Sequence, residues 1–118
     1  MGDETECLFC QIASGALGTE FVYASETVVA FNDLAPQASY HVLVVPKRHI
    51  ASIDAVTAED GQLMGEVFAA IQSVAETRGL SQSGYRVISN HGKDAGQSVG
   101  HLHFHVLGGN DLGPLIEK

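Results

Sequence analysis

Residues 101–106, HLHFHV, alternate a histidine with an apolar residue at every step. A period of two is the pattern of a β-strand, because successive side chains leave a strand on opposite faces. Leu102, Phe104 and Val106 would then anchor the strand in the core. The three histidines would share the other, reachable face, with the Cα atoms of neighbouring histidines about 7 Å apart. The chain is therefore predicted to fold around a strand with one apolar side and one side that can carry chemistry.

Other segments supply partners for this strand. LFCQI is compatible with one helical turn, and EFVYASETVVAFND predicts a hairpin that turns at ASE. YHVLVVP is apolar almost throughout, which indicates a strand buried on both faces and ending at Pro46. GYRVISN predicts a further strand, which a glycine-rich loop, HGKDAGQS, separates from the histidine strand.

One long amphipathic helix is predicted after Thr57. Thr57 and Asp60 have the spacing of a capping box, and Gly79 supplies the stop. Apolar residues recur between them at steps of three and four: Leu63, Met64, Val67, Phe68, Ile71, Val74 and Ala75. The elements predict a single α+β domain over residues 1–118, with a mainly antiparallel sheet of about five strands, the long helix and a short N-terminal helix. Residues 1–6 are expected to form a flexible acidic tail.

Composition and charge exclude several classes of function. The chain has 118 residues, of which 45% are hydrophobic and 17% charged, so it can build one core. Its net charge is -8 and its first basic residue is Lys47, so a surface for nucleic-acid polymers is not expected. No apolar run approaches the roughly 20 residues that cross a bilayer, and MGDETE lacks the features of an export signal. We expect a cytoplasmic protein that does not bind membranes.

Three interpretations compete for the histidine face. The simplest is a polar sheet face that happens to be rich in histidine, and the second is a shared zinc ion. The third is nucleophilic catalysis at phosphorus, in which a neutral imidazole attacks, a neighbour fixes its tautomer and another group protonates the leaving group. The preceding loop favours the third, because Gly96 permits close backbone approach while Gln97, Ser98 and consecutive amides can bind phosphate oxygens.

The segment GQSVGHLHFHVLGG, residues 96–109, closely resembles the signature of the histidine triad (HIT) superfamily. Its GQSV and LGG flanks resemble the Hint branch. The resemblance extends from LFCQI through AFNDLAPQ and HVLVVPKRHI to the triad, and it implies a HIT-like fold. It also implies hydrolysis of purine nucleoside phosphoramidates, of the adenosine 5′-phosphoramidate type, through a nucleotidyl-histidine intermediate, by a homodimer.

The resemblance assigns roles to the histidines. His103, the central one, matches the nucleophile, and His105 matches the supporting histidine. His101 matches the first of the triad. His41, in SYHVLVV, corresponds to a fourth active-site histidine.

The same carry-over predicts the nucleotide contacts. Asn90, Gln97 and Ser98 align with polar contacts to the phosphate, with Ser98 near the leaving group, and Gly96 belongs to the same loop. Asp33 corresponds to the acid that holds the ribose hydroxyls, a role that suits a carboxylate because it accepts two hydrogen bonds. The residues that match the walls of a nucleobase pocket are Phe9, Ile12, Phe31, Leu34 and Leu43.

Some members of the superfamily carry a zinc site, and its ligand positions are matched here by Cys7, Cys10, His49 and His101. Two thiolates and two imidazoles would close a tetrahedral site, so zinc would be structural. Unligated thiols or a vicinal disulfide-like pair are the alternatives.

Other functions remain open at this point. A dinucleoside polyphosphate hydrolase of the same superfamily would share the nucleophile, although the LGG ending argues against it. A nucleotide-binding regulatory module would keep the pocket without turnover. A metallohydrolase would use the histidines as metal ligands.

Overall fold

The centre of the fold is a five-stranded antiparallel sheet, and the computed structural model describes residues 7–116. The strands lie in the spatial order β1-β2-β3-β5-β4. Their bounds are Tyr23–Ala24 (β1), Val28–Asn32 (β2), Tyr40–Pro46 (β3), Tyr85–Ile88 (β4) and Phe104–Gly108 (β5). The predicted α+β class, the hairpin β1–β2 and the antiparallel sheet are confirmed. The acidic tail predicted for residues 1–6 lies outside the described residues.

Three α-helices accompany the sheet: α1 (Leu8–Ala13), α2 (Gly61–Thr77) and α3 (Leu80–Ser83). The capping box of Thr57 and Asp60 is present, but it closes a 3₁₀ turn, Ala58–Asp60, from which α2 then continues. Gly79 ends this region with a left-handed φ of 73°, the conformation that glycine supplies most easily. Among residues 7–116, no helix combines the length and the apolar character needed to cross a membrane.

The central strands of the sheet are buried on both faces. One face packs against α2, and this cluster contains Val28, Ala30, Val42, Val44, Val67, Ala70, Ile71, Val74, Leu102, Phe104 and Val106 among its members. The other face packs against α1, with Phe9, Ile12, Ala13, Val29, Phe31, Leu43 and Val45. The central position of β3 between two strands and two helices is the physical reason for its uninterrupted apolar sequence.

The histidine strand is shorter than predicted. Regular pairing begins at Phe104, because Leu102 N–H donates instead to Ile50 O (2.6 Å) and His103 O accepts the Ser89 hydroxyl (2.8 Å). The alternation persists, since Leu102 lies in the α2 cluster. The expectation that all three histidines share a reachable face is wrong for His101, which is 0% exposed. Phe9 of α1 packs against the rings of His101 and His103.

Candidate functional site

The register of β3 and β5 brings two of the predicted catalytic histidines together. Leu43 pairs with His105 and His41 pairs with Leu107, so the two histidines are diagonal neighbours on one face. His41 Nε2 lies 2.8 Å from His105 Nδ1. Asp33, directly after β2, donates its N–H to His41 O (2.9 Å) and holds its carboxylate 3.4 Å from His41 Nε2.

The hydrogen bonds determine the tautomers of this pair. The Gln37 N–H donates to His41 Nδ1 (3.0 Å), so the proton of the neutral His41 ring is on Nε2. That N–H faces His105 Nδ1, which therefore acts as an acceptor. The proton of neutral His105 is then on its own Nε2. The pair thus presents one N–H donor at His105.

His103 has the opposite arrangement. Its Nδ1 lies 2.7 Å from His101 O, and a carbonyl oxygen can only accept, so Nδ1 carries the proton. The neutral ring consequently has its lone pair on Nε2. The ring centroids of Phe9 and His105 are each 5.1 Å from that of His103, in edge-to-face contacts that hold its orientation.

A cavity of about 540 Å³ opens onto His103, and its size is within the range of small-molecule sites. Ser98, His103 and His105 line it, and we call these three residues the polar cluster of the cavity. Asp33 lines it as well. All five predicted nucleobase contacts are among its walls: Phe9, Ile12, Phe31, Leu34 and Leu43. Leu34 is fully exposed, so it forms an outer lip and not a buried wall.

Among residues 7–116, four of the predicted catalytic and nucleotide-binding residues do not line this cavity: His41, Asn90, Gly96 and Gln97. His41 is linked to the cavity through its hydrogen bond with His105, which lines it. Gly96 and Gln97 donate their backbone N–H groups within the loop, to Lys93 O (3.0 Å) and Gly92 O (3.1 Å).

The Gln97 side chain differs most from expectation. Its Nε2 donates to Ala51 O (2.9 Å) and Val99 O (3.0 Å), and its Oε1 accepts the Gly92 N–H (2.9 Å). The amide thus organises the loop in this structure, and its contact with phosphate stays a prediction. Pattern reasoning could not distinguish a loop-closing amide from a phosphate donor, because both require the same residue in a glycine-rich turn.

The cavity also includes residues that the sequence analysis did not select: Leu8, Thr19, Glu20, Asn32 and Val99. Val99 follows Ser98 within the motif and could have been found there. Thr19 and Glu20 belong to the irregular connection between α1 and β1, where no periodicity or motif marks a functional side chain.

The four predicted metal ligands come together in the structure. Ligand atoms of Cys7, Cys10, His49 and His101 all lie within 4.8 Å of one another. His101 Nδ1 is 3.2 Å from Cys7 Sγ and 3.4 Å from Cys10 Sγ, while His49 Nδ1 is 3.3 Å from Cys10 Sγ. Tetrahedral zinc with ordinary bond lengths would separate sulfur and nitrogen by about 3.5 Å.

The tautomer of His101 also suits a metal. Its Nε2 donates to Pro46 O (2.8 Å), so the lone pair is on Nδ1, which faces the sulfur atoms. An imidazole that donates its second N–H to a carbonyl is the usual arrangement of a metal-bound histidine. The Cys7–Cys10–His49–His101 cluster could therefore hold a metal ion.

A second group, Asp33, His41 and His105, also has ligand atoms within 4.8 Å of one another. Its hydrogen bonds oppose metal binding, because the Gln37 N–H occupies the lone pair of His41 Nδ1 and keeps the ring proton on Nε2. A metal on Nε2 would force the proton to Nδ1, against that N–H. This argues against a metal ion at Asp33, His41 and His105.

Burial governs the charge state of the His41–His105 pair. Burial lowers the pKa of His105 to about 4, and positive charge on His103 or His41 acts in the same direction. Burial also lowers the pKa of His41, although the Asp33 carboxylate opposes this change. At neutral pH both rings are uncharged, so His105 can donate a hydrogen bond without placing a cation beside His103.

The lowered pKa of His105 predicts a loss of stability in acid. Its ordinary value is 6.5, so as pH falls from 6.5 towards 4 the unfolded chain binds the proton that the folded chain excludes. In His105→Asn the Oδ1 atom can accept from His41 but does not titrate. Urea unfolding at pH 7 and pH 4 should therefore show a decline that is smaller in the variant by about 1–2 kcal/mol, a value discounted for partial exposure. Equal declines would contradict the assignment.

Comparisons with known proteins identify the family of the chain. Residues 6–115 match the family model described as scavenger mRNA decapping enzyme C-term binding. Purine nucleoside phosphoramidase of Escherichia coli strain K12 is 37% identical over 116 residues, which is 98% of this chain and 96% of that protein.

Solved structures agree as well. A histidine triad protein from Clostridium difficile superposes with a TM-score of 0.90 at 41% identity, covering 97% of this chain and 98% of the other. A HIT family hydrolase from Legionella pneumophila gives 0.89 at 39% identity, covering 92% and 96%. The chain belongs to the histidine triad superfamily.

Proposed function

We propose that this protein hydrolyses purine nucleoside 5′-phosphoramidates, of the adenosine 5′-phosphoramidate type, through a nucleotidyl intermediate on His103. The observation that carries the proposal is the hydrogen bond from His103 Nδ1 to His101 O, which leaves Nε2 unprotonated in a ring that lines the cavity. The name of the Escherichia coli relative supports the substrate class. The GQSV and LGG flanks support membership of the Hint branch.

The reaction has two steps. His103 Nε2 forms a bond to phosphorus while the phosphorus–nitrogen bond breaks, and the departing amine takes up one proton. Water then attacks phosphorus, the bond to His103 breaks, and one water proton returns to solvent as the nucleoside monophosphate leaves. The first step consumes a proton and the second releases one, so the cycle balances.

The other two residues of the polar cluster, His105 and Ser98, have supporting roles in this proposal. His105 Nε2–H donates to a phosphoryl oxygen, and its tautomer is maintained by His41, which is held in turn by the Gln37 N–H. Ser98, which lines the cavity, hydrogen-bonds the departing amine.

The nucleoside occupies the remainder of the cavity. Asp33 accepts the ribose hydroxyls, since its carboxylate lines the cavity. The purine packs between the apolar walls contributed by α1, β2 and β3. Such walls bind a purine through its area and stacking.

We propose zinc as the metal of the Cys7–Cys10–His49–His101 cluster. Two thiolates with two imidazoles are a preferred tetrahedral set for zinc, and four protein ligands leave no open position for substrate. The metal would thus hold α1 against the segment that carries the triad. It would take no part in the chemical steps.

We also propose a homodimer. Strand β4 lies at an edge of the sheet with Tyr85, Val87 and Ile88 exposed, and an exposed strand edge is a ready template for pairing with a second chain. Phe68 on the predicted apolar stripe of α2 is 49% exposed. An isologous contact across these surfaces would bury them.

A substrate panel tests the function. We expect an adenosine phosphoramidate to be hydrolysed much faster than a dinucleoside polyphosphate. Rapid quenching should trap an adduct of one nucleotidyl group on the peptide that contains His103, detected by mass spectrometry. Preference for the dinucleoside polyphosphate would favour that branch of the superfamily, and binding without turnover of either substrate would indicate a nucleotide-binding module.

A further inference from the structure

Three consecutive residues, 50–52, hold the loop that leads to the triad, and we call them the strap. The strap directly follows His49 of the metal cluster. The contacts are Leu102 N–H to Ile50 O (2.6 Å), Gln97 Nε2–H to Ala51 O (2.9 Å) and His91 Nδ1 with Ser52 Oγ (2.7 Å). The loop is thus attached at its beginning, near its end and at the triad.

The His91 attachment is part of a closed ring of interactions. Ser52 is buried, and its Oγ accepts the Asp54 N–H (3.2 Å). The Asp54 carboxylate lies 3.7 Å from His91 Nε2, which favours a proton on that nitrogen. His91 Nδ1 is then the acceptor, and the Ser52 hydroxyl donates to it.

This ring determines where the loop begins. Gly92 follows His91 directly and makes two hydrogen bonds with Gln97. Gly92 O accepts the Gln97 backbone N–H, and the Gly92 N–H donates to Gln97 Oε1. Residues 92–97 therefore form a closed turn whose orientation depends on its two attachments to the strap. Ser98 leaves this turn and enters the cavity. His91 and Ser98 thus lie at the two ends of this turn.

We infer that His91 is a positioning residue, which acts through Ser52 and the 92–97 turn to place Ser98 against the departing group at His103. The inference rests on the proposed function. The purine walls come from α1, β2 and β3, whereas the polar contacts of His91 within residues 7–116 are with Ser52 and Asp54. We therefore expect a change at His91 to lower turnover much more than nucleotide affinity.

The test compares His91→Ala with His91→Asn, whose Oδ1 can replace Nδ1 as the acceptor from Ser52. We expect His91→Ala to lower kcat for a phosphoramidate about tenfold, since small displacements of catalytic groups have effects of this order or larger. The Kd for a nucleoside monophosphate should change less than about twofold, and His91→Asn should recover most of kcat. Lys93→Ala, in the same turn with an exposed side chain, is the control and should match wild type.

Hydrogen exchange separates this inference from the proposed function. In His91→Ala the amides of Gly96 and Gln97 should exchange faster than in wild type, while those of β3 should not change. If wild type hydrolyses no phosphoramidate, the proposed function fails and the exchange result alone judges the positioning. Unchanged kcat and unchanged exchange in His91→Ala would overturn the inference, as would a parallel loss of kcat, affinity and melting temperature.

Discussion

Replacing His103 with asparagine is expected to lower phosphoramidate turnover at least about a thousandfold while nucleotide affinity stays within a few fold of wild type. The asparagine Nδ2–H can take the place of Nδ1–H and donate to His101 O, so the local fold is preserved. The variant has no atom that can replace the Nε2 lone pair. Single-turnover kinetics and calorimetric binding of a nucleoside monophosphate measure the two quantities.

His105→Asn is the matched control. It alters a neighbouring triad histidine but keeps the nucleophile, so it should reduce kcat far less and still yield the trapped adduct. Appreciable turnover by His103→Asn would contradict the covalent mechanism. Thermal denaturation would show whether His103→Asn has lost its fold together with its turnover. If it has, His103→Gln takes its place in the experiment.

Replacing Cys7 or Cys10 with serine is expected to remove the metal and to lower the free energy of unfolding by at least about 2–3 kcal/mol, since binding to the folded state contributes directly to its stability. Nucleotide affinity should fall as well. The reason is that Phe9 lies between these cysteines on α1, lines the cavity and packs against His101 and His103. Elemental analysis, urea unfolding and calorimetry measure the three effects.

Ala16→Ser, at an exposed position just beyond α1, is the control for this experiment and should retain about one metal ion per chain. Wild type treated with a strong chelator should reproduce the cysteine variants in both unfolding and nucleotide binding. A wild-type protein purified without metal, and with the full stability of a metal-supplemented sample, would rule out the cluster as a metal site.

Much of the fold could be predicted because local patterns and burial agree. The apolar run of β3 indicated a strand covered on both faces, and α1 and α2 do cover it. The capping box and Gly79 marked the ends of the long helical region. The prediction for the histidine strand was less accurate, because the bonds from 101–103 to Ile50 and Ser89 join segments far apart in sequence.

Like the fold, the candidate site could be predicted from the sequence only in part. The resemblance to the superfamily pointed to the histidines, the cysteines and Asp33, whose residue types are set by the chemistry they can perform. It gave no account of His91, whose hydrogen bond with Ser52 joins segments far apart in the sequence. It also could not show that the Gln97 amide is engaged within the loop.

The sequence by itself determined which residues could act, because alternation, spacing and side-chain chemistry are local properties of the chain. Only the tertiary structure decided which nitrogen of each histidine carries the proton. Gln37 supplies a donor to His41, whereas carbonyl oxygens of His101 and Pro46 accept from His103 and His101. Those partners are brought together by sheet register and packing, and they distinguish the proposed nucleophile, the proposed hydrogen-bond donor and the proposed metal ligand among three identical side chains.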